Sequence, residues 1–244
     1  MSGQLAVVPT LDGGPVHRSI VAVDVEGSTK RTNPVKGEMR RVLYDVLERA
    51  LSAAGIGPEH LEELGDRGDG ALILIRPHDD VPKTVLFGRL IPVLTALLAE
   101  YNEAVTVPEL RMRLRVVIHA GEVHEDGRGF YGDDIDVAFR LLEAPTVKRV
   151  LREAPQAPVV LVVSEEIWVG VVRHGYADGG LYRQRVQVRV GERLRRGRVD
   201  LPVPAPAGLP ARVPRPRSPL ALAAPNGRTE QAPASIAVSG NAGR

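Results

Sequence analysis

Two carboxylates in this chain stand where oxygen ligands for a divalent cation are needed. Asp24 follows the apolar run Ser19-Ile20-Val21-Ala22-Val23 and precedes Val25-Glu26-Gly27-Ser28-Thr29. A β-branched strand that stops at a carboxylate and enters a Gly-Ser-Thr turn sets a metal-binding oxygen beside backbone amides able to hold phosphate. Asp69 lies in Gly68-Asp69-Gly70 and borders a second apolar run, Ala71-Leu72-Ile73-Leu74-Ile75. Each has an ordinary explanation by itself: Asp24 as a cap at a strand-to-helix turn, Asp69 as a turn residue chosen for its backbone. Two acidic strand ends in one small domain point instead to a divalent-metal nucleotide site.

The elements that must position them alternate between strand-like and helix-like. A strand over Ser19–Val25 leads into a helix over Pro34–Ala54, where Met39, Val42, Leu43, Val46, Leu47 and Leu51 recur at three-four spacing and Gly55 ends the pattern. Short strands near 61–64 and 70–76 flank the Asp66–Gly70 turn and read as a hairpin. A second long helix spans Val81–Ala104, with Pro82 in its first turn and Pro92 expected to kink it. Arg111–Glu122 alternates, with Met112, Leu114, Val116 and Ile118 on a buried face and Arg111, Arg113 and Arg115 on a basic one. Asp133–Glu143 is helical, Pro158–Val163 a strand, and Ser164 caps a helix carrying Ile167, Trp168 and Val171. Two last strands lie near 184–190 and 196–201. The pattern predicts an α/β fold whose hairpin makes the sheet mixed.

Composition narrows the function classes. The 244 residues are 43% hydrophobic, 25% charged and only 4% aromatic, with a net charge of +2. One domain with tails fits that length. The aromatic shortage argues against nucleic-acid binding by base stacking, and the Arg excess is concentrated after residue 183. Cysteine is absent, which removes disulfides, zinc–thiolate sites and cysteine nucleophiles and suits a reducing cytoplasm. No signal peptide and no uninterrupted apolar stretch near the ~18 residues of a membrane span is visible. The expectation is a soluble, cytoplasmic protein: a loose leader over 1–17, one domain over 18–201, and a Pro/Ala/Arg-rich disordered tail over 202–244.

Four segments, in this order, resemble the catalytic domain of the class III nucleotidyl cyclases, the adenylate and guanylate cyclase family. Val23-Asp24-Val25-Glu26-Gly27-Ser28-Thr29 resembles the first metal motif, and Gly68-Asp69-Gly70-Ala71-Leu72 the second. Ile118-His119-Ala120-Gly121-Glu122-Val123 resembles the strand G-I-H-x-G. Tyr131-Gly132-Asp133-Asp134-Ile135-Asp136-Val137-Ala138-Phe139-Arg140-Leu141 resembles the helix G-x-x-V-N-x-A-x-R. The resemblance covers residues 19–142 and implies a ferredoxin-like mixed sheet with flanking helices. It also implies two Mg²⁺ or Mn²⁺ ions per site, held by Asp24 and Asp69 with the Val25 carbonyl. The amides of Glu26, Gly27, Ser28 and Thr29 would hold phosphates, and Arg140 would stabilise charge at the α-phosphate. A nucleoside triphosphate would close to a 3′,5′-cyclic nucleotide with release of pyrophosphate. Family sites form between two subunits, so a homodimer with two equivalent sites is expected.

The departures from the pattern are specific. Asp136 replaces the usual Asn that orients the ribose, and an acceptor-only carboxylate cannot donate as an amide does. The base-selecting positions fall on Gly65 and Gly129, so the nucleobase is left open. A competing register makes Glu62 the selector and Asp66 the ligand; Asp69 is preferred because the apolar strand starts just beyond it. The late phosphate-binding lysine has only Arg189 as a counterpart. A second class of reading therefore stands beside the enzyme: a degenerate cyclase-like module that binds nucleotide or dimerises as a regulatory protein.

Overall fold

The computed structural model describes residues 14–176 and 182–204. The expected leader up to residue 13 and the tail from 205 onward lie outside them. The sheet begins with β1 (Val16–Val25), two residues inside the segment read as leader, and α1 (Asn33–Ala53) follows. The hairpin β2 (Leu61–Asp66) and β3 (Gly70–Ile75) comes next. Then β4 (Leu114–Glu125) and the two-residue β5 (Phe130–Tyr131) lead to α4 (Asp133–Leu142) and α5 (Pro145–Glu153). After these come β6 (Val159–Ser164), α6 (Glu165–Gly170), β7 (Gln184–Val190) and β8 (Arg193–Asp200).

Between β3 and β4 one long helix runs from Lys83 to Ala104. It consists of α2 (Lys83–Val85), a π-helical turn (Leu86–Leu90) and α3 (Ile91–Ala104). Pro92 has no amide to donate into the helix, and the wide turn just before it is where the expected irregularity falls. At 22 residues, with a mean hydropathy of 1.4 over its most apolar 18-residue window, this helix is long and apolar enough to cross a membrane by length and composition. Its Leu90, Leu94, Leu97, Leu98 and Tyr101 are buried in the protein core.

Strand order is β2-β3-β1-β4-β6-β8-β7, with β5 paired to β4. The first four form the ferredoxin-like unit, all antiparallel, and β6 joins β4 in parallel, so the sheet is mixed as expected. Two cores sandwich it. Val21, Val23, Ile73, Val116 and Ile118 pack under α1 and α3, while Ile20, Ala22, Leu72, Leu74 and Val117 pack under α4 and α5. The basic outer face expected for β4 is therefore corrected. Its second face is covered by α4, and Arg113 and Arg115 are half-buried and ion-paired. Helix α5 buries only Val147 and Leu151, too sparse a pattern to stand out in the sequence.

Candidate functional site

Asp24 is the penultimate residue of β1, opposite Gly70 on β3 and Arg115 on β4. Alternation along the strand turns it, with Ile20 and Ala22, toward the α4 face. Its carboxyl is pushed up to about 6 by burial, against the pull of the Arg115 guanidinium, with the neighbouring Asp69 and Glu143 carboxylates raising it further. Asp69 is thus an electrostatic neighbour of Asp24, although 45 positions separate them in the chain.

The hairpin explains how. Gly68 takes a left-handed conformation at φ 77° to start the tight turn. Gly70 is needed for a different reason: a Cβ there would overlap the Val23 carbonyl oxygen, because β3 is pressed against β1 at this point. The Val25 amide then donates to the Asp69 carbonyl at 3.0 Å, and the Ser28 hydroxyl donates to the Asp69 carboxylate. Asp66 serves another purpose. It forms a two-pronged ion pair with Arg40 of α1 at 2.8 and 2.6 Å, which pins the turn to that helix and holds its carboxyl well below the usual range. Glu62, the selector of the competing register, is clamped between Arg76 at 2.6 Å and Arg18 at 2.7 Å near the far end of the hairpin.

Beside Asp69 a cavity of about 280 Å³ opens between the Gly-Ser-Thr turn, the hairpin and α1, lined among others by Ser28, Thr29, Met39, Lys36 and Arg40. Gly27 adopts φ 68°, and a short 3₁₀ turn over Ser28–Lys30 follows. Within the expected phosphate cradle, the Glu26 amide is committed to the Arg113 carbonyl at 2.9 Å, and its carboxylate to the Arg113 side chain at 2.8 Å. That leaves Gly27, Ser28 and Thr29.

The sequence reading missed five side chains here. Arg115 pairs with Asp24 and, at 2.8 Å, with Glu143, which in turn pairs with Lys148. Lys36 and Arg40 supply positive charge on the α1 side. Arg115 belongs to the same strand as His119, but only the antiparallel register of β1 and β4 reveals that it faces Asp24.

His119 is buried and connects three elements. Its Nδ1 lies 2.7 Å from the Ser164 hydroxyl at the end of β6, and its Nε2 lies 3.1 Å from the Asp134 carboxylate on α4. Asp134 also accepts the Glu122 amide at 2.7 Å, and its carboxylate fills the space a side chain at Gly121 would need. The H-x-G spacing is thereby explained: the histidine reaches the helix carboxylate, and the glycine makes room for it.

Among the described residues, no hydrogen bond or ion pair links the other predicted residues to Asp24 or Asp69. Asp136 and Arg140 are exposed on α4, one turn apart, and make no ion pair among the described residues. Near them, the Arg67 guanidinium from the hairpin lies 5.6 Å from the centre of the Phe139 ring. Arg189 is on the outermost strand, β7, with β8, β6 and β4 between it and β1. Gly65 sits on the opposite edge strand, β2, with the Glu63 carboxylate where a side chain would go. Gly129 lies in the β4–β5 turn, at the end of β4 remote from Asp24. His60, His78 and Asp80 bring their ligand atoms within 4.8 Å of one another at the base of the hairpin, the end of β3 away from Asp69.

No family model and no curated protein matches the sequence. Solved structures do match in fold. A structure described as the guanylyl cyclase Cya2 aligns with 81% of this chain and 98% of its own at 17% identity and a TM-score of 0.51. An adenylate/guanylate cyclase/hydrolase from Silicibacter pomeroyi aligns over 78% and 99%, at 17% identity and a TM-score of 0.55. The adenylyl cyclase CyaB from P. aeruginosa aligns over 81% and 98%, at 12% identity and a TM-score of 0.51. At these identities the likeness is one of architecture: this chain has the mixed α/β fold of adenylyl and guanylyl cyclase catalytic domains.

Proposed function

We propose that this domain is a nucleotidyl cyclase that converts a nucleoside triphosphate to a 3′,5′-cyclic nucleotide and pyrophosphate. The observation that carries the reading is the Asp24–Asp69 pair, two carboxylates brought together by β1 and the hairpin, one of them raised to about 6 by burial and by its neighbour's charge. Adjacent, partly desolvated carboxylates with the Val25 carbonyl beside them form an all-oxygen donor set suited to Mg²⁺ or Mn²⁺, and a divalent ion relieves their repulsion. The chemistry such ions would supply there is acidification of a ribose 3′-hydroxyl and neutralisation of triphosphate charge.

The remaining roles belong to the chain's own groups. The amides of Gly27, Ser28 and Thr29 bind phosphate oxygens at the mouth of the cavity. Arg115 changes partner from Asp24 to a phosphate, which frees the carboxylate as a ligand. Arg140, fixed in charge and exposed, stabilises the α-phosphate from the second copy of a homodimer, and Asp136 faces the ribose from the same helix. Arg189 is the remaining candidate for the terminal phosphate. With Gly65 and Gly129 at the selector positions, the base is held by shape rather than by side-chain hydrogen bonds.

One observation favours the second reading, a regulatory module that binds nucleotide without turning it over: the Arg115 guanidinium already occupies the Asp24 carboxylate. A single experiment separates the two. Purified protein is incubated with Mn²⁺ and each of ATP, GTP, CTP and UTP, and cyclic product is sought by mass spectrometry with Asp24→Ala as control. Product that disappears in Asp24→Ala and Asp69→Ala but persists in Asp66→Ala supports the enzyme. Nucleotide binding with no product from any of the four supports the module.

A further inference from the structure

On the sheet face away from α4, the β7–β8 ribbon carries an arrangement of charge that its neighbours do not compensate. Arg185 stands directly opposite Arg198 across the two strands, and Gln187 directly opposite Arg196. Like charges in a direct cross-strand pair repel. Among the described residues, none of these three arginines has a carboxylate partner. The Arg198 guanidinium lies 3.9 Å from the centre of the Trp168 ring, and its Nε is buried without a hydrogen-bond partner. Stacking fixes the plane of that fork and leaves its edge free to grip a tetrahedral anion. The three arginines and Gln187 line a cavity of about 280 Å³ whose one acidic wall among the described residues is Glu165.

We propose that this cavity is a binding site for a phosphate dianion, either free or as the terminal group of a nucleotide. Three guanidinium groups against one carboxylate leave the excess positive charge that a dianion neutralises, and Gln187 adds an amide donor. The site is separate from the Asp24–Asp69 centre. Arg198 pairs with Val163, whose side chain belongs to the α1 face, whereas Asp24 points to the α4 face, with β4 and β6 between. It does not rest on the cyclase reading and stands if that reading fails.

The test is thermal denaturation in a chelator, so that no metal recruits phosphate to the carboxylate pair. Inorganic phosphate, ATP and NaCl at matched ionic strength are titrated against the wild type, Arg185→Gln and Arg196→Gln. At about tenfold excess over its Kd, phosphate is expected to raise the wild-type Tm by roughly 3–5 °C. That rise should be absent in both variants. Stabilisation by phosphate and ATP alike identifies the phosphate group as the ligand, and stabilisation by ATP alone identifies the nucleotide as its source. Without anion, Arg185→Gln should melt no lower than the wild type, because it removes one of two opposed charges. An equal rise with NaCl, or a rise undiminished in both variants, overturns the proposal. So does capture of a single-stranded oligonucleotide by the wild type but not the variants, with no response to phosphate, which would make the ribbon a nucleic-acid surface.

Discussion

At the scale of single residues, Asp24 carries a measurable cost. Its carboxyl ordinarily titrates at 3.8 and in the fold at about 6, chiefly because it is buried. The folded state therefore holds this proton more tightly than the unfolded chain, and the stability it contributes is complete below 3.8 and is lost as pH rises through 6. Asp24→Asn removes the charge but keeps the shape. In a chelator, the variant should be more stable than the wild type at pH 8, with the gap narrowing steadily toward pH 4. Thermal melts across that range check it, and a gap that widens toward acid contradicts the assignment. The same burial makes protons compete with a metal ion for this carboxylate, so metal affinity should fall below pH 6.

At the scale of elements, the centre depends on how closely strands and helices meet. Gly70→Ala would drive a methyl group into the Val23 carbonyl and force β3 off β1 where Asp24 and Asp69 approach each other. The expected cost is about 1–3 kcal/mol in chemical denaturation, with loss of any cyclic product. Gly37→Ala is the counterpart: that glycine lies inside α1 with open space where a Cβ would go. It should gain about 0.5–1 kcal/mol, since alanine is the better helix former. Asp134→Asn tests the link between β4, α4 and β6. The His119 ring holds the Asp134 carboxyl below its ordinary range, outweighing partial burial, and the Glu122 amide assists. A depressed carboxylate contributes stability above its ordinary value and loses it as pH falls. The variant should thus cost about 1–2 kcal/mol at pH 7 and progressively less below pH 4. A cost independent of pH would show that the carboxylate's charge is not what matters.

At the scale of the whole molecule, the proposed homodimer makes a quantitative prediction. Asp24 and Asp69 lie in one cluster, Asp136 and Arg140 are exposed on α4, and Arg189 lies on the far edge strand. The proposal assigns the α4 residues to the site of the second copy. Asp24→Ala and Arg140→Ala proteins, each inactive alone, should regain about a quarter of wild-type activity when mixed in equal amounts, because half of the randomly formed dimers contain one intact site of two. No recovery on mixing, or a strict monomer by light scattering at assay concentration, contradicts the shared site.

Local sequence was enough to read the strand-helix-hairpin order of the first half. Apolar spacing, the Gly-flanked turns and the Ser164 cap are each decided within a few residues. It was also enough to single out Asp24 and Asp69 as metal-site candidates, because both border apolar strands at small-residue turns. It did not reveal α5, where two buried side chains leave almost no periodic signal, nor that β4 is covered on both faces. Tertiary structure alone decided which carboxylates meet. The β1–β3 register puts Gly70 opposite Asp24, the α1 ion pair takes Asp66 away, and the β1–β4 register delivers Arg115 from 91 positions along the chain. Those choices rest on contacts between distant segments, whose pairing is fixed only once both faces of the sheet are packed.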